Sequence, residues 1–330
     1  MSPFIKISAF AMLQVLAIRA LADAPPRLEV AVADPSAPLT FIVYGDTRFT
    51  QREGVANAVA RRALVARMAG EKPAAIFIGG DLVYEGDNPE DYELYRSETA
   101  VWSQAKIPIF AALGNHEFRG CGQDPSPCLA NWWRAAAPSE VRSFRWYSVT
   151  LGPKVLELVL DSDSSLKPGS SQRGWFEEEM THAGSQTEFV LVVLHYPPVR
   201  DFIFPRTKDE KEIARYLSSH SHSLPFRVIV AGSHIHNYER FQRDDVTYLV
   251  SGGGGAKPVH VLRLSGELSK LDTAANFHYM RFRLAGHDLM GTMVRFDPER
   301  NTETAWTEPD RFEVKASDSI SRRNKNGGRP

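Results

Sequence analysis

The stretch Ala74–Tyr84 reads AAIFIGGDLVY: an apolar run rich in β-formers, Ile76-Phe77-Ile78, is stopped by Gly79-Gly80 and followed at once by Asp81. The pattern predicts a buried strand that delivers Asp81 to its C-terminal edge, the place where open α/β sheets gather their active sites. Taken alone, Gly-Gly-Asp is equally well a turn, glycine supplying unusual dihedrals and Asp bonding its own backbone. Recurrence decides between the two. Leu39–Tyr44 runs into Gly45-Asp46-Thr47-Arg48, Ile107–Leu113 into Gly114-Asn115-His116-Glu117, Phe189–Leu194 into His195-Tyr196-Pro197-Pro198, and Val228–Ala231 into Gly232-Ser233-His234-Ile235-His236. Each strand end presents an oxygen or imidazole donor, and carboxylate, amide and imidazole together suit first-row metals, with Zn, Mn, Fe and Mg all admissible.

Outward from that stretch, Val55, Val59, Ala63 and Ala66 recur at helical spacing, with Arg61, Arg62 and Arg67 on other faces. Strand, helix and strand make a βαβ unit and therefore parallel pairing. Asp91–Ala105 reads as a second helix and Ile107–Leu113 as a third strand, an alternation that predicts an α/β fold.

Asp46, Gly80-Asp81, Gly114-Asn115-His116-Glu117, His195 and Gly232-Ser233-His234-Ile235-His236 resemble, in order, the five blocks of the calcineurin-like metallophosphoesterases, most closely their purple acid phosphatase branch. The resemblance runs from about Thr40 to Ala256. It implies a metallophosphoesterase-type four-layer αββα sandwich with two mixed β-sheets and a dinuclear metal centre. Carried over residue by residue, Asp81 bridges, Asp46, Tyr84 and His236 complete the first ion, and Asn115, His195 and His234 the second. Two departures stand out: Arg48 where relatives place a ligand His, and Ser233 between Gly232 and His234 where they read Gly-His-x-His. A guanidinium has no lone pair to ligate with, so Arg48 either clamps a substrate phosphate or pairs with a ligand carboxylate. Tyr84, four residues into Asp81-Leu82-Val83-Tyr84, stands where the purple branch supplies a phenolate; otherwise it is an aromatic at the mouth of the site. In an extended segment His234 and His236 face one way and Ile235 the core.

The implied activity is that of an acid-phosphatase-like phosphomonoesterase acting on small-molecule phosphate esters by attack of a metal-bound hydroxide. Its cofactors would be Fe with Zn, Mn or Fe, or a Mn or Zn pair. His116 is the implied general acid for the leaving alkoxide, with a bond that only holds the loop as the other reading. A phosphodiesterase or nucleotide hydrolase of the same superfamily is the nearest alternative. A non-catalytic phosphate-binding or interaction protein is the alternative of another class.

The 330 residues are 43% hydrophobic and 24% charged with a net charge of -1, which excludes a disordered chain and a nucleic-acid-binding surface. Met1–Ala22 reads as a signal peptide cleaved after Ala22, hence a secreted or periplasmic protein with no membrane span after cleavage; an uncleaved anchor is disfavoured by the shortness of the apolar run. Residues 23–38 read as a linker or irregular strand, 39–300 as the catalytic domain, and 301–330 as a tail, disordered from Ala316. Cys121 and Cys128 lie in one Pro/Gly loop, where an exported protein favours a local disulfide. Asp161-Ser162-Asp163 reads as a turn, and Gln172–Met180 as a helix. The glycine run Gly252–Gly255 reads as packing beside the site, and Val259–Leu264 and Met280–Asp297 as closing antiparallel strands. His260, His278 and His287 read as structural or exposed. Nothing in the residues sets an oligomeric state.

Overall fold

The computed structural model describes residues 24–32, 34–201, 209–264, 266–269, 271, 277–302 and 304–317. The expected signal peptide and the end of the expected tail lie outside them. In chain order the first half contains β1 (Arg27–Val30), β2 (Leu39–Tyr44), α1 (Ala58–Gly70), β3 (Ile76–Ile78), α2 (Pro89–Glu98), α3 (Ala100–Gln104), β4 (Ile109–Ala111), α4 (Ser126–Ala135), β5 (Tyr147–Leu151) and β6 (Val155–Val159). There follow α5 (Ser171–His182), β7 (Phe189–Val193), α6 (Glu212–His220), β8 (Arg227–Gly232), β9 (Tyr238–Arg243), β10 (Val246–Ser251), β11 (Phe277–Ala285), β12 (Asp288–Phe296) and β13 (Trp306–Lys315).

The strands form two mixed sheets, one of seven in the order β1-β5-β6-β7-β8-β10-β9 and one of six in the order β13-β12-β11-β2-β3-β4. Side-chain alternation fixes the layers. In β6, β7 and β8 the residues Val155, Val159, Leu191, Val193, Ile229 and Ala231 join the larger core that both sheets share. Their alternates Leu156, Leu158, Val190, Val192, Val228 and Val230 pack outward against Trp175, Phe176, Ile213 and Leu217 of α5 and α6. On the far face of the other sheet Leu64, Val65 and Met68 of α1 and Trp102 of α3 are buried, the Trp102 indole donating to the Val65 carbonyl at 3.0 Å. Helix, sheet, sheet, helix is the expected four-layer sandwich. Parallel β2, β3 and β4 point their carboxyl ends the same way, and parallel β7 and β8 do so in the facing sheet.

Several expectations change. The buried face of α1 is Ala60, Arg61, Leu64, Val65 and Met68, one position on from the anticipated stripe, and Val59 is 62% exposed. Arg61 can turn inward because Glu98 meets it at 2.8 and 3.0 Å and its guanidinium lies 4.8 Å from the Phe49 ring. The single helix expected over Asp91–Ala105 is two, broken at Thr99, whose hydroxyl bonds back to the Tyr95 carbonyl at 2.7 Å. Val259–Leu264 is no strand: Val259 spends its backbone groups on the His236 carbonyl and the Asn237 amide instead of on a neighbouring ladder. β1 beside β5 is the strand alternative of residues 23–38, while β13 beside β12 lies in the stretch expected as a tail. Cys121 and Cys128 are disulfide-bonded. The hairpin of β11 and β12 turns at Gly286, whose φ of 63° favours glycine.

Glu157 in β6 lies fully buried on the face shared with Val155 and Val159, opposite Val149 and Leu191, with neither carboxyl oxygen hydrogen-bonded. Burial raises its pKa well above the ordinary value. Since the folded pKa exceeds the unfolded one, the folded state is favoured below about pH 4.5 and loses stability as pH rises from there. Glu157→Met, close in volume and free of the desolvation penalty, should therefore stabilise by about 1–3 kcal/mol at pH 8 and by less at pH 5. Differential scanning calorimetry at the two pH values checks this; a lower melting temperature for the variant at pH 8 would contradict it.

Candidate metal centre

The loops that leave β2, β3 and β4 are tied together before any side chain is considered. Asp46, Arg48 and Phe49 donate backbone N–H bonds to the carbonyls of Gly80, Asp81 and Leu82 at 3.1, 3.0 and 2.8 Å. Asp46, Arg48, Asp81 and His234 all have positive φ, 57°, 46°, 52° and 67°, a left-handed conformation that non-glycine residues rarely adopt and that clusters at functional sites. Glu117 supplies the restraint: its buried carboxylate accepts backbone N–H bonds from Asp81 at 2.9 Å, Leu82 at 2.7 Å and Gly114 at 2.6 Å. Backbone packing is equally close at Gly252, where an added Cβ would lie 2.5 Å from Asp46 Oδ2. The glycine run is thus packing beside the site, as expected.

These loops bring together the anticipated donors. One donor atom each from Asp46, Asp81 and His195 lie within 4.8 Å of one another, all three residues buried. Asp81 Oδ1 is 3.2 Å from His195 Nε2, which also faces Asn115 Oδ1 at 3.0 Å and His234 Nδ1 at 3.2 Å. His236 Nε2 lies 3.6 Å from Asp46 Oδ1. The expected extended geometry of His234-Ile235-His236 is replaced by tight turns, Ile235 N–H bonding to Ser233 and Asn237 N–H to Ile235. His234 consequently turns toward His195, and His236 toward Asp46, while Ile235 is buried.

Tautomers follow from the backbone partners. His195 Nδ1 is 3.0 Å from the Gly79 carbonyl and His236 Nδ1 is 2.7 Å from the Lys257 carbonyl, so each Nδ1 carries the proton and each Nε2 turns a lone pair into the site. Burial lowers the pKa of His195, and takes His234 down to about 3 and His236 to about 4, with the charges of His195 and Arg48 adding to the effect. Neutral imidazoles are what a cation requires. Both carboxyl oxygens of Asp46 are buried without a hydrogen-bond partner, and burial followed by the nearby Asp81 charge raises its pKa well above normal. Burial opposes ionisation of Asp81 too, but Arg48 at 3.3 Å and the His116 backbone N–H at 2.9 Å favour it, and the carboxyl is held below the usual range. An array of lone pairs and carboxylate oxygens with so few donors fits metal ions.

Arg48 extends one guanidinium nitrogen to 3.3 Å from Asp81 Oδ2, which is the carboxylate-pairing geometry, and its Nε is buried without a partner. His116 holds its Nδ1 2.7 Å from the Tyr84 carbonyl and its Nε2 3.7 Å from Asp81 Oδ2. Tyr84 is buried beside it, the two rings 5.1 Å apart. Ser233 fills the space over Gly45 and Gly79, where an added Cβ would lie 2.1 and 2.3 Å from its hydroxyl. Glu117 and Tyr196 stand inside the quoted motifs but received no role there; a carboxylate three residues after a strand-ending Gly114 is the available signal for the first, and the Tyr196 ring stands edge-on to His195 and His234 at 5.2 and 4.6 Å.

The calcineurin-like phosphoesterase family profile matches residues 39–252, and the chain belongs to that family. No curated protein matches it in sequence. Among solved structures it is similar to the purple acid phosphatase PPD1 from yellow lupin seeds, with a TM-score of 0.69 and 15% identity over 87% of this chain. The match covers 55% of the lupin protein, so the chain spans about half its length. It is also similar to a dimetal phosphatase from Danio rerio, TM-score 0.57 and 13% identity over 86% of this chain and 100% of that one. GAP50, the anchor in the inner membrane complex of Plasmodium, has a TM-score of 0.58 and 14% identity over 89% of this chain and 95% of its own. Likenesses at these identities establish the fold.

The depressed histidine pKa values carry a sign. In the unfolded chain these imidazoles titrate near about pH 6.5, so below that the unfolded state takes up protons that the folded site refuses. Their contribution to stability is complete above about pH 6.5 and is lost as pH falls toward 4. The metal-free protein should therefore lose melting temperature from pH 7 to pH 4, and the paired variant His234→Asn/His236→Asn should lose less over that interval. Parallel declines measured by calorimetry would show that the two imidazoles are not buried neutral.

Proposed function

We propose that this protein is a dinuclear-metal phosphomonoesterase acting on small-molecule phosphate esters. The observation that carries the reading is the meeting of Asp46, Asp81, Asn115, His195, His234 and His236 at strand ends, with Asp46 unpartnered and the imidazoles lowered toward neutrality. In it Asp81 would be shared by two ions, with Asp46, His236 and Tyr84 the residues that would hold one and Asn115, His195 and His234 those that would hold the other. Fe with Zn, Mn or Fe suits a phenolate, and a Mn or Zn pair suits the remaining donors. Bound there, the ions supply Lewis acidity for the phosphoryl oxygens and a lowered pKa for water.

The protein's own residues do the rest. With the Nδ1–H of His116 committed to the Tyr84 carbonyl, Nε2 gives up a proton only from the imidazolium, which burial disfavours and the Asp81 carboxylate 3.7 Å away favours. The role of His116 is to hand that proton to the leaving alkoxide. Arg48, whose Nε is buried without a partner, would turn that donor to the phosphoryl oxygens. Export is part of the proposal: the Cys121–Cys128 bond persists in an oxidising compartment, and no helix among the described residues is long and apolar enough to cross a membrane.

Metal analysis combined with assays on p-nitrophenyl phosphate and its bis-ester tests the reading. Asp81→Asn should lose bound metal and activity together, whereas His116→Ala should keep the metal and lose about 10²–10⁴-fold in kcat. A faster bis-ester reaction would make the protein a phosphodiesterase, and no turnover of either ester by metal-loaded protein a phosphate-binding one. Two ions retained in Asp81→Asn would remove the bridge. For Tyr84 the readout is colour: iron-loaded protein should show a broad visible tyrosinate-to-iron band that disappears in Tyr84→Phe, and a colourless active iron form would exclude the phenolate.

A further inference from the structure

Around the ring of Tyr84 the chain gathers more positive charge than the metal centre uses. The guanidinium carbons of Arg119, Arg52 and Arg48 lie 4.2, 5.1 and 5.9 Å from the ring centroid. Arg48 is spoken for by Asp81, but Arg52 and Arg119 share one carboxylate oxygen, Oε1 of Glu85, at 3.3 and 3.8 Å. Their side chains are 58% and 42% exposed, so both remain open to a ligand. In a chain of net charge -1 this surplus is local. It is also built: Arg119 is anchored by its carbonyl to the Asp87 N–H at 3.2 Å and stands at the neck of the loop closed by Cys121–Cys128. Tyr84, whose ring carries the three cations, touches His116, which touches Asp81.

Elsewhere at the centre the acidic residues are already balanced, Asp161 Oδ2 lying 2.5 Å from Arg145 Nε. There Tyr196 covers His195 and His234, its hydroxyl 3.5 Å from Asp163 Oδ1, with Asp161 beside it. A second anion beyond the reacting phosphate is therefore drawn to the two exposed guanidinium groups on the Tyr84 side, which share a single carboxylate oxygen.

We propose that Arg52 and Arg119 form a subsite for a second phosphate, so that the protein selects small molecules carrying two phosphate groups. The inference rests on the phosphomonoesterase reading for what happens to the first phosphate: water adds to phosphorus, the P–O ester bond breaks, and the leaving oxygen takes a proton, yielding inorganic phosphate and a monophosphorylated alcohol. Guanidinium forks suit the second, unreacted phosphate, binding it by charge-assisted hydrogen bonds.

The test pairs binding with turnover. Calorimetry on metal-loaded protein should show methylenediphosphonate binding more tightly than methylphosphonate, with the ratio of affinities falling about 10–100-fold in Arg52→Gln/Arg119→Gln and largely restored in Arg52→Lys/Arg119→Lys. The ratio of kcat/KM for 1,3-propanediol bisphosphate over propyl phosphate should fall in step. Arg52→Gln alone, changing the more exposed of the two, gives a partial fall should the double variant fold poorly. Equal affinity of the wild type for the two phosphonates, or a ratio that the glutamine variants leave intact, overturns the subsite. Turnover of neither ester, with the arginine-dependent preference for methylenediphosphonate preserved, would sink the phosphatase reading and leave the subsite standing.

Discussion

One buried carboxylate, that of Glu117, holds the loops on which the site depends. Strands of the six-stranded sheet end in loops whose backbone N–H groups, at Asp81, Leu82 and Gly114, point into a region closed to water, where an unpaired amide costs about 1–3 kcal/mol. Glu117 accepts from all three and so fixes the spacing between the loop that carries Asp81 and the loop that carries Asn115 and His116. The left-handed backbone at Asp46, Arg48, Asp81 and His234 persists because such bonds over-determine it. Removal of that carboxylate would release the strain without leaving the donors in register.

The second constraint is electrostatic. Asp46 and Asp81 are both fully buried and close to each other, and Arg48 is the cation beside them. Neutral His195, His234 and His236 contribute lone pairs and no compensating charge. A site of this kind is unfavourable when left to itself, and cations that fill it stabilise the fold that made it. The same logic separates these residues from Glu157, which is as buried but sits among Val155, Val159 and Leu191 with neither oxygen hydrogen-bonded, and there burial raises the carboxyl's pKa well above its ordinary value.

Strand ends were legible because an apolar run followed by Gly and a polar donor is a local signal, readable at Asp46, Asp81, Asn115, His195 and His234 without knowing what lies opposite. What failed was long-range. Arg61 read as a surface cation because its partner Glu98 lies 37 residues away, and the burial of that ion pair rotates the whole inner face of α1. Val259–Leu264 has a strand's composition, but Val259 spends its backbone groups on His236 and Asn237, and the Leu264 N–H goes to the Asp201 carboxylate. Conversely β13, WTEPDRFEVK, contains Pro309 and several charges, and becomes a strand because β12 offers it an open edge and Asp310 meets Arg240 and Tyr238. The ligand order within the site was carried by resemblance, and the second tier, Glu117 and Tyr196, was not, since neither position carries a donor toward the centre.

Arg48 ties these strands of the argument together. It stands where relatives place a ligand, and a guanidinium cannot take that role, so its substitution must either remove a function or exchange it. The geometry favours exchange. Its own backbone N–H is bonded to the Asp81 carbonyl and one guanidinium nitrogen to the Asp81 carboxylate, while its Nε, buried, has no acceptor. A buried donor left unpaired is unfavourable until an acceptor arrives, and the acceptor that fits a planar fork beside two cation-binding carboxylates is a phosphoryl group. Cations bound at Asp81 would weaken the ion pair that holds Arg48 at 3.3 Å. In the proposed reading, filling the centre would then also ready its anion clamp.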